Sequence, residues 1–156
     1  MSRGLLTIMA TVTQLGLVVV TIGLLFYVSG DEVIVEQDAG TLLGPAMVLG
    51  SMATVFFVLA RTFGVADLHG ERRPGILRPA LVASAGGYVA MLLIGSVIYA
   101  LERREAIWVI LFAARYAVST FVIASSMWAG IVVAGFLVLA RYDTAPTEDT
   151  PRHDDL

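Results

Sequence analysis

Residues 117–140 read AVSTFVIASSMWAGIVVAGFLVLA, a stretch of 24 positions without a single charged side chain. A helix needs about 20 predominantly apolar residues to cross the hydrocarbon core of a bilayer. Three further uncharged, apolar stretches lie at 5–27, 42–60 and 80–101. A lipid-exposed strand could not satisfy its backbone hydrogen bonds, so we assign each stretch as a transmembrane helix. The sequence predicts an all-α membrane protein whose residues 1–142 form one domain, an up-and-down bundle of four helices.

The composition supports this fold class and excludes several kinds of chemistry. Hydrophobic residues make up 58% of the chain and charged residues only 15%, against roughly half and a quarter in soluble domains. The absence of cysteine excludes disulfides, thiolate metal sites and iron–sulfur ligation. The two histidines, His69 and His153, lie outside the apolar stretches and so cannot ligate a haem between helices. We expect no cofactor, no bound metal and no enzymatic activity, because no acid, base or metal ligands converge.

The arginines predict the orientation of the chain in a bacterial inner membrane. With the N-terminus inside, seven of the ten arginines fall on the cytoplasmic side and three on the other, as the positive-inside rule requires. Both termini are then cytoplasmic, and the polar, proline-containing residues 143–156 form a disordered tail. The first apolar stretch is too long for the core of a signal peptide, which favours an uncleaved first helix.

The segment before the fourth crossing is too long for a simple span. Residues 106–140 are almost continuously apolar, and a helix of that length would reach about 50 Å against a hydrocarbon core of about 30 Å. We therefore expect residues 106–114 to form an extra helix at the outer interface or beyond it. The alternative, a continuous helix, would place Arg115 inside the bundle at a cost of at least about 2.5 kcal/mol.

Helix 1 carries a stripe of polar side chains at helical spacing, formed by Thr7, Thr11, Gln14 and Thr21. Such a stripe avoids lipid and faces other helices. We interpret it as hydrogen-bonding contacts between helices, and a polar pathway through the membrane is the alternative. Gln14 is the only amide side chain within the predicted crossings.

Small residues predict where helices 3 and 4 approach each other. Helix 3 contains Gly86-x-x-x-Ala90 and helix 4 contains Gly130-x-x-x-Ala134. Small residues four positions apart let two backbones come close, which is how helices associate in lipid. The same pattern would also serve a homodimer.

The predicted loop between helices 2 and 3 is basic, with Arg72, Arg73 and Arg78. These arginines are expected to set the topology and to contact anionic lipid, and a docking surface for a cytoplasmic partner is the alternative. The same loop contains Asp67, His69 and Glu71, but alternate spacing in a short loop makes a poor metal cage.

An offset of 80 residues aligns 44–61 with 124–141 and gives seven identities in 18 positions. Two apolar helices that each end in an arginine explain this similarity without an internal repeat, because arginines commonly anchor helix ends at the interface.

All ten basic residues are arginine, which indicates a GC-rich genome, and helix 2 is preceded by an Asp38-Ala39-Gly40 turn and begins with Leu43-Gly44-Pro45-Ala46-Met47. In these features, its size and its four helices, the chain resembles small actinobacterial four-helix membrane proteins of unknown function. The resemblance implies the fold and the source, and it carries over no functional residues.

These patterns favour a non-catalytic accessory or assembly component of a membrane complex. The alternative is a small oligomeric channel, a holin-like pore or a minimal transporter built around helix 1. Transporters usually show ionisable residues or interrupted helices within the membrane, and we expect neither here. The expected partners are the lipid bilayer and another membrane protein or a second copy of the chain, and not nucleic acid.

Overall fold

The computed structural model of the chain describes residues 2–29, 42–69 and 75–143. In these ranges the chain forms helices and no strand, in the order α1 (Arg3–Ser29), α2 (Leu43–Leu68), α3 (Leu77–Arg103), α4 (Ile107–Tyr116) and α5 (Thr120–Asp143). Within the described part, four helices are long and apolar enough to cross a membrane, namely all but α4. The predicted all-helical class with four apolar spans is confirmed. The residues of the tail after Asp143 and of the loop at 30–41 lie outside the described ranges.

The helix ends follow local rules of capping. The hydroxyl of Ser2 accepts a hydrogen bond from the backbone N–H of Leu5 at 3.3 Å, which caps the start of α1. Pro45 lies in the first turn of α2, where its missing N–H removes no intrahelical bond. α3 ends at Arg103, and the next residue, Arg104, has a left-handed φ of 57° that terminates the helix.

α2 continues eight residues beyond the end expected at residue 60. Phe63 and Ala66 are buried and extend the buried stripe formed by Val55 and Leu59, so packing sustains the helix after its apolar stretch has ended. Asp67, near the end of this extension, pairs with the guanidinium of Arg3. The first turn of α1 is thereby tied to the last turns of α2.

The extra helix expected before the last crossing is present as α4. α4 packs beside the carboxyl-terminal half of α3. The ring of Phe112 lies directly over Gly95, so close that a Cβ on this glycine would be 2.8 Å from the ring. Trp108, Phe112 and Tyr116 recur every four residues and turn one aromatic face of α4 toward the bundle. Arg115 is exposed, so the alternative with Arg115 inside the bundle is not observed.

A short non-helical segment separates α4 from the last crossing, α5, which begins three residues after the expected start at residue 117. The hydroxyl of Tyr88, in the middle of α3, donates to the carbonyl of Ala117 at 2.7 Å and so satisfies a backbone group that this segment leaves free. Non-helical backbone beside membrane spans is tolerated where neighbouring side chains satisfy it in this way.

The core consists of two apolar clusters at successive levels of the bundle. We call them the Leu6 cluster, which includes Leu6, Leu59 and Val133, and the Phe112 cluster, which includes Val18, Met47 and Phe112. Both clusters draw on α1, α2, α3 and α5, and α4 contributes to the Phe112 cluster alone. Each of the four long helices therefore passes from one cluster to the other.

The packing of α4 against α3 can be tested by a substitution at Gly95. In Gly95→Ala the new methyl group would lie 2.8 and 3.2 Å from two ring carbons of Phe112 and 3.0 Å from the sulfur of Met47. We expect the free energy of unfolding, measured in mixed detergent–dodecyl sulfate micelles, to fall by about 1–3 kcal/mol through overpacking. The matched control is Gly64→Ala, where the methyl group meets nothing within 4 Å. Equal stability of the two variants would contradict this packing.

Candidate functional site

A layer of polar and small residues separates the two apolar clusters. It contains one residue from each long helix: Gln14 of α1, Ser51 of α2, Gly87 of α3 and Ser125 of α5. The side chain of Gln14 is fully buried, with 0% of its surface exposed. Its Nε2 donates to the hydroxyl of Ser51 at 3.0 Å and to the backbone carbonyl of Ser125 at 3.2 Å. We call these four residues the Gln14 layer.

Gly87 brings α3 close to this layer. A Cβ at this position would lie 3.6 Å from the Cβ of Ala129 and 3.9 Å from the hydroxyl oxygen of Ser51. The space at Gly87 would admit a methyl group but no larger side chain. Because Gly87 has no side chain, α2 and α5 can both approach α3 at this position. Small residues play this role at helix interfaces in membranes.

The orientation of the Gln14 amide follows from its partners. The carbonyl of Ser125 can only accept a hydrogen bond, so the nitrogen of the amide faces it and the oxygen points away. Gln14 Oε1 and Ser125 Oγ are both buried and have no hydrogen-bond partner among the described residues. Leaving a buried polar group unpaired costs about 1–3 kcal/mol. These two unpaired groups lower the stability of the bundle, so the composition of the layer is not the most stable one possible.

The groups of the Gln14 layer limit its chemistry. An amide and two hydroxyls donate and accept hydrogen bonds, but none of them changes charge near neutral pH. General acid–base catalysis needs a group that titrates near the working pH. The arrangement is thus suited to holding neutral polar groups and helices together.

The threonines of the predicted stripe are satisfied on their own helix. Thr7, Thr11 and Thr21 each donate to the carbonyl four residues earlier, at distances of 2.8–3.0 Å. Thr21 also accepts a hydrogen bond of 3.0 Å from the indole nitrogen of Trp128 on α5. The hydrogen bonds of the stripe to other helices thus come from Gln14 and Thr21. Thr7 is buried, and Thr11 and Thr21 are half-buried.

The expected pairing of helix 3 with the last helix is present, but the motif on helix 3 faces a different neighbour. Gly86 faces α2, since a Cβ there would lie 3.1 Å from Thr54, and the carbonyl of Ala90 on the same face lies near Gly50 of α2. Gly130 does face α3, where a Cβ would lie 3.1 Å from the carbonyl of Ala80. Ala134 is half-buried. The motif on α3 was assigned to the wrong neighbour because spacing along one helix does not say which partner it meets.

The residues predicted in the basic loop are only partly described. Arg72, Arg73 and Glu71 lie outside the described residues. Arg78 is exposed at the start of α3 and lines a cleft between α2 and α3. Across the part of the chain that the structure describes, no three His, Cys, Asp or Glu side chains are grouped to hold a metal ion.

An aromatic cluster at the end of α3 was not predicted. The guanidinium of Arg103 lies 4.5 Å from the ring centre of Trp108 and 5.2 Å from that of Tyr99. The indole nitrogen of Trp108 donates to the carboxylate of Glu105 at 3.1 Å. The sequence signal is the four-residue spacing of Tyr99 and Arg103, which places both on one face of a helix.

The partners of Gln14 also escaped prediction. Ser51 lies between Met47 and Val55 on the buried stripe of α2, at four-residue spacing. A serine that interrupts an apolar stripe is the signal that could have been used. Sequence alone does not reveal that it stands at the same level as Gln14.

Comparison with known proteins places the chain in a family. Residues 3–154 match a family of unknown function, DUF6121. The chain belongs to this family. The match confirms the resemblance to an uncharacterised family over nearly the whole chain, and the actinobacterial source stays a prediction. No curated protein and no solved structure matches the chain.

The hydrogen bond between Gln14 and Ser51 can be measured with a double-mutant cycle. Stability in mixed micelles is compared for Gln14→Leu, Ser51→Ala and the double variant. We expect a coupling energy of about 0.6 kcal/mol and at most about 1.7 kcal/mol, the range found for buried hydrogen bonds between membrane helices. Thr13, whose exposed hydroxyl donates only to Met9 of its own helix, provides the control in a cycle of Gln14→Leu with Thr13→Val. A coupling energy of zero for Gln14 and Ser51 would contradict the described geometry.

Proposed function

We propose that this protein is a non-catalytic component of a larger membrane assembly. The observation that carries the proposal is that Gln14, the most polar side chain in the middle of the bundle, is enclosed inside the single chain and bonded there. A pore lined by the helix 1 stripe would need Gln14 to face an aqueous path between copies. A catalytic site would need acid, base or metal groups, whereas the Gln14 layer is neutral.

An apolar groove between α1 and α2 is the face that we propose for the partner. The groove has a volume of about 800 Å³ and lies between α1 and α2, with Phe121 of α5 also lining it. Gly23 and Gly44 line it, and they allow another backbone to come close. These features favour one transmembrane helix of a partner protein as the occupant.

Two glycines of α1 give a matched test of this docking face. Gly23 lines the groove and Gly16 does not, and a Cβ at either position would have nothing within 4 Å inside the chain. We expect Gly23→Leu to abolish recovery of a stoichiometric partner from gently solubilised native membranes, while Gly16→Leu leaves it unchanged. The measurement is mass spectrometry of material purified through a tag after residue 156. Retention of the partner by both variants would refute the groove as the docking face, and recovery of a homo-oligomer alone would refute the assembly role.

A small oligomeric channel or minimal transporter is the second candidate, and one observation favours it. The break at residues 117–119 resembles the discontinuous helices that form the binding sites of many transporters. In reconstituted liposomes we expect no ion flux above that of empty vesicles. Flux that is abolished by Gln14→Leu would favour the pore and overturn the accessory role.

We propose that both termini are cytoplasmic in a bacterial inner membrane, and an actinobacterial source accords with the arginine-only basic set. Because the chain has no cysteine, single introduced cysteines report the topology without background. We expect a membrane-impermeant maleimide applied to spheroplasts to label Arg104→Cys, between α3 and α4, and not His69→Cys, between α2 and α3. Both side chains are exposed in the structure. The reverse labelling pattern would contradict the orientation.

A further inference from the structure

A cleft with two arginines lies between α2 and α3, at the end of the bundle where α2 ends and α3 begins. Its volume is about 490 Å³, within the range of about 300–1,000 Å³ that small-molecule sites occupy. The cleft is lined by Val58, Arg61 and Val65 of α2 and by Arg78 and Val82 of α3, among other residues.

The two guanidinium groups in this cleft lack anionic partners in the described structure. Arg61 and Arg78 are exposed, and among the described residues neither makes an ion pair or a side-chain hydrogen bond. The described carboxylate nearest in sequence to Arg61 is that of Asp67, which is paired with Arg3 and does not line the cleft. The cleft therefore presents two positive charges and no negative charge from its lining.

Apart from Thr62, the remaining side chains of the lining are apolar, and the cleft lies where a membrane surface is expected. Val58, Val65 and Val82 form apolar walls beside the arginines. Eighteen residues separate Leu43 from Arg61, which corresponds to about 27 Å of helix against a hydrocarbon core of about 30 Å. Arg61 thus stands near the level at which hydrocarbon gives way to lipid headgroups.

We propose that this cleft binds one anionic phospholipid, whose phosphate group is held by Arg61 and Arg78 and whose acyl chains pack against the three valines. Guanidinium groups donate several hydrogen bonds to a phosphate in a fixed, planar geometry. Basic pockets between transmembrane helices are known to bind lipid headgroups. The site does not depend on membership of a larger assembly.

The site is tested by native mass spectrometry of the full chain in a neutral detergent, titrated with phosphatidylglycerol. We expect one lipid to remain bound to the unaltered protein and phosphatidylcholine to bind far more weakly. Arg61→Gln with Arg78→Gln is expected to weaken phosphatidylglycerol binding about thirty-fold, because each arginine near a membrane surface contributes about 1 kcal/mol. The matched control, Arg104→Gln with Arg115→Gln, also removes two exposed positive charges but none from the cleft and is expected to keep its lipid.

Two further arms separate a built lipid site from general charge attraction. Val82→Trp keeps both arginines and fills the apolar wall from an exposed position, so it should reduce lipid binding while leaving stability unchanged. Inorganic phosphate and glycerol phosphate, which have no acyl chains, should not compete at the concentrations at which the lipid binds. Equal lipid binding by the cleft variant and the control would overturn the proposal. Displacement of the lipid by phosphate alone at those concentrations would overturn it in favour of a soluble anion site.

Discussion

One buried amide determines how the four long helices fit together. Gln14 donates from α1 to both α2 and α5, and Gly87 lets α3 reach the same level. If α1 slid against α2 by one turn, about 5.4 Å, Gln14 would face Met47 or Val55 and its bond to Ser51 would be lost. An amide without partners is costly in an apolar core.

α3 packs against α2, α4 and α5, and three glycines allow this close approach. Gly86 meets α2, Gly87 meets α2 and α5, and Gly95 meets α2 and α4. In lipid the hydrophobic effect does not drive helices together, and close packing must supply the attraction. A helix with three packed faces cannot turn large side chains toward all of its neighbours. Its small residues are therefore distributed around its circumference.

The sequence predicted the features that the bilayer determines, and it was less informative about features that depend on contacts between helices. Four spans were predictable because a bilayer demands about 20 apolar residues for each crossing. The end of α2 was missed because Phe63 and Ala66 sustain the helix by packing against other helices. The position of α4 depends on the space beside Gly95, which no pattern within α4 reveals. Gln14 was identified as the unusual polar residue, but Ser51 and Ser125 became its partners only through the three-dimensional arrangement.

The seat of α4 also implies an order of assembly during biosynthesis. The ring of Phe112 rests where Gly95 of α3 and Met47 of α2 come together, so that seat does not exist until those two helices have paired. α4 emerges from the ribosome after α2 and α3, and its aromatic face can then pack on the surface that these two helices form together. The hydroxyl of Tyr88 on α3 then donates a hydrogen bond to the carbonyl of Ala117 and fixes the position of the segment between α4 and α5. The shortest helix thus docks on a surface that α2 and α3 form before it, and α5, which follows, completes the Phe112 cluster with Phe121 and Val122.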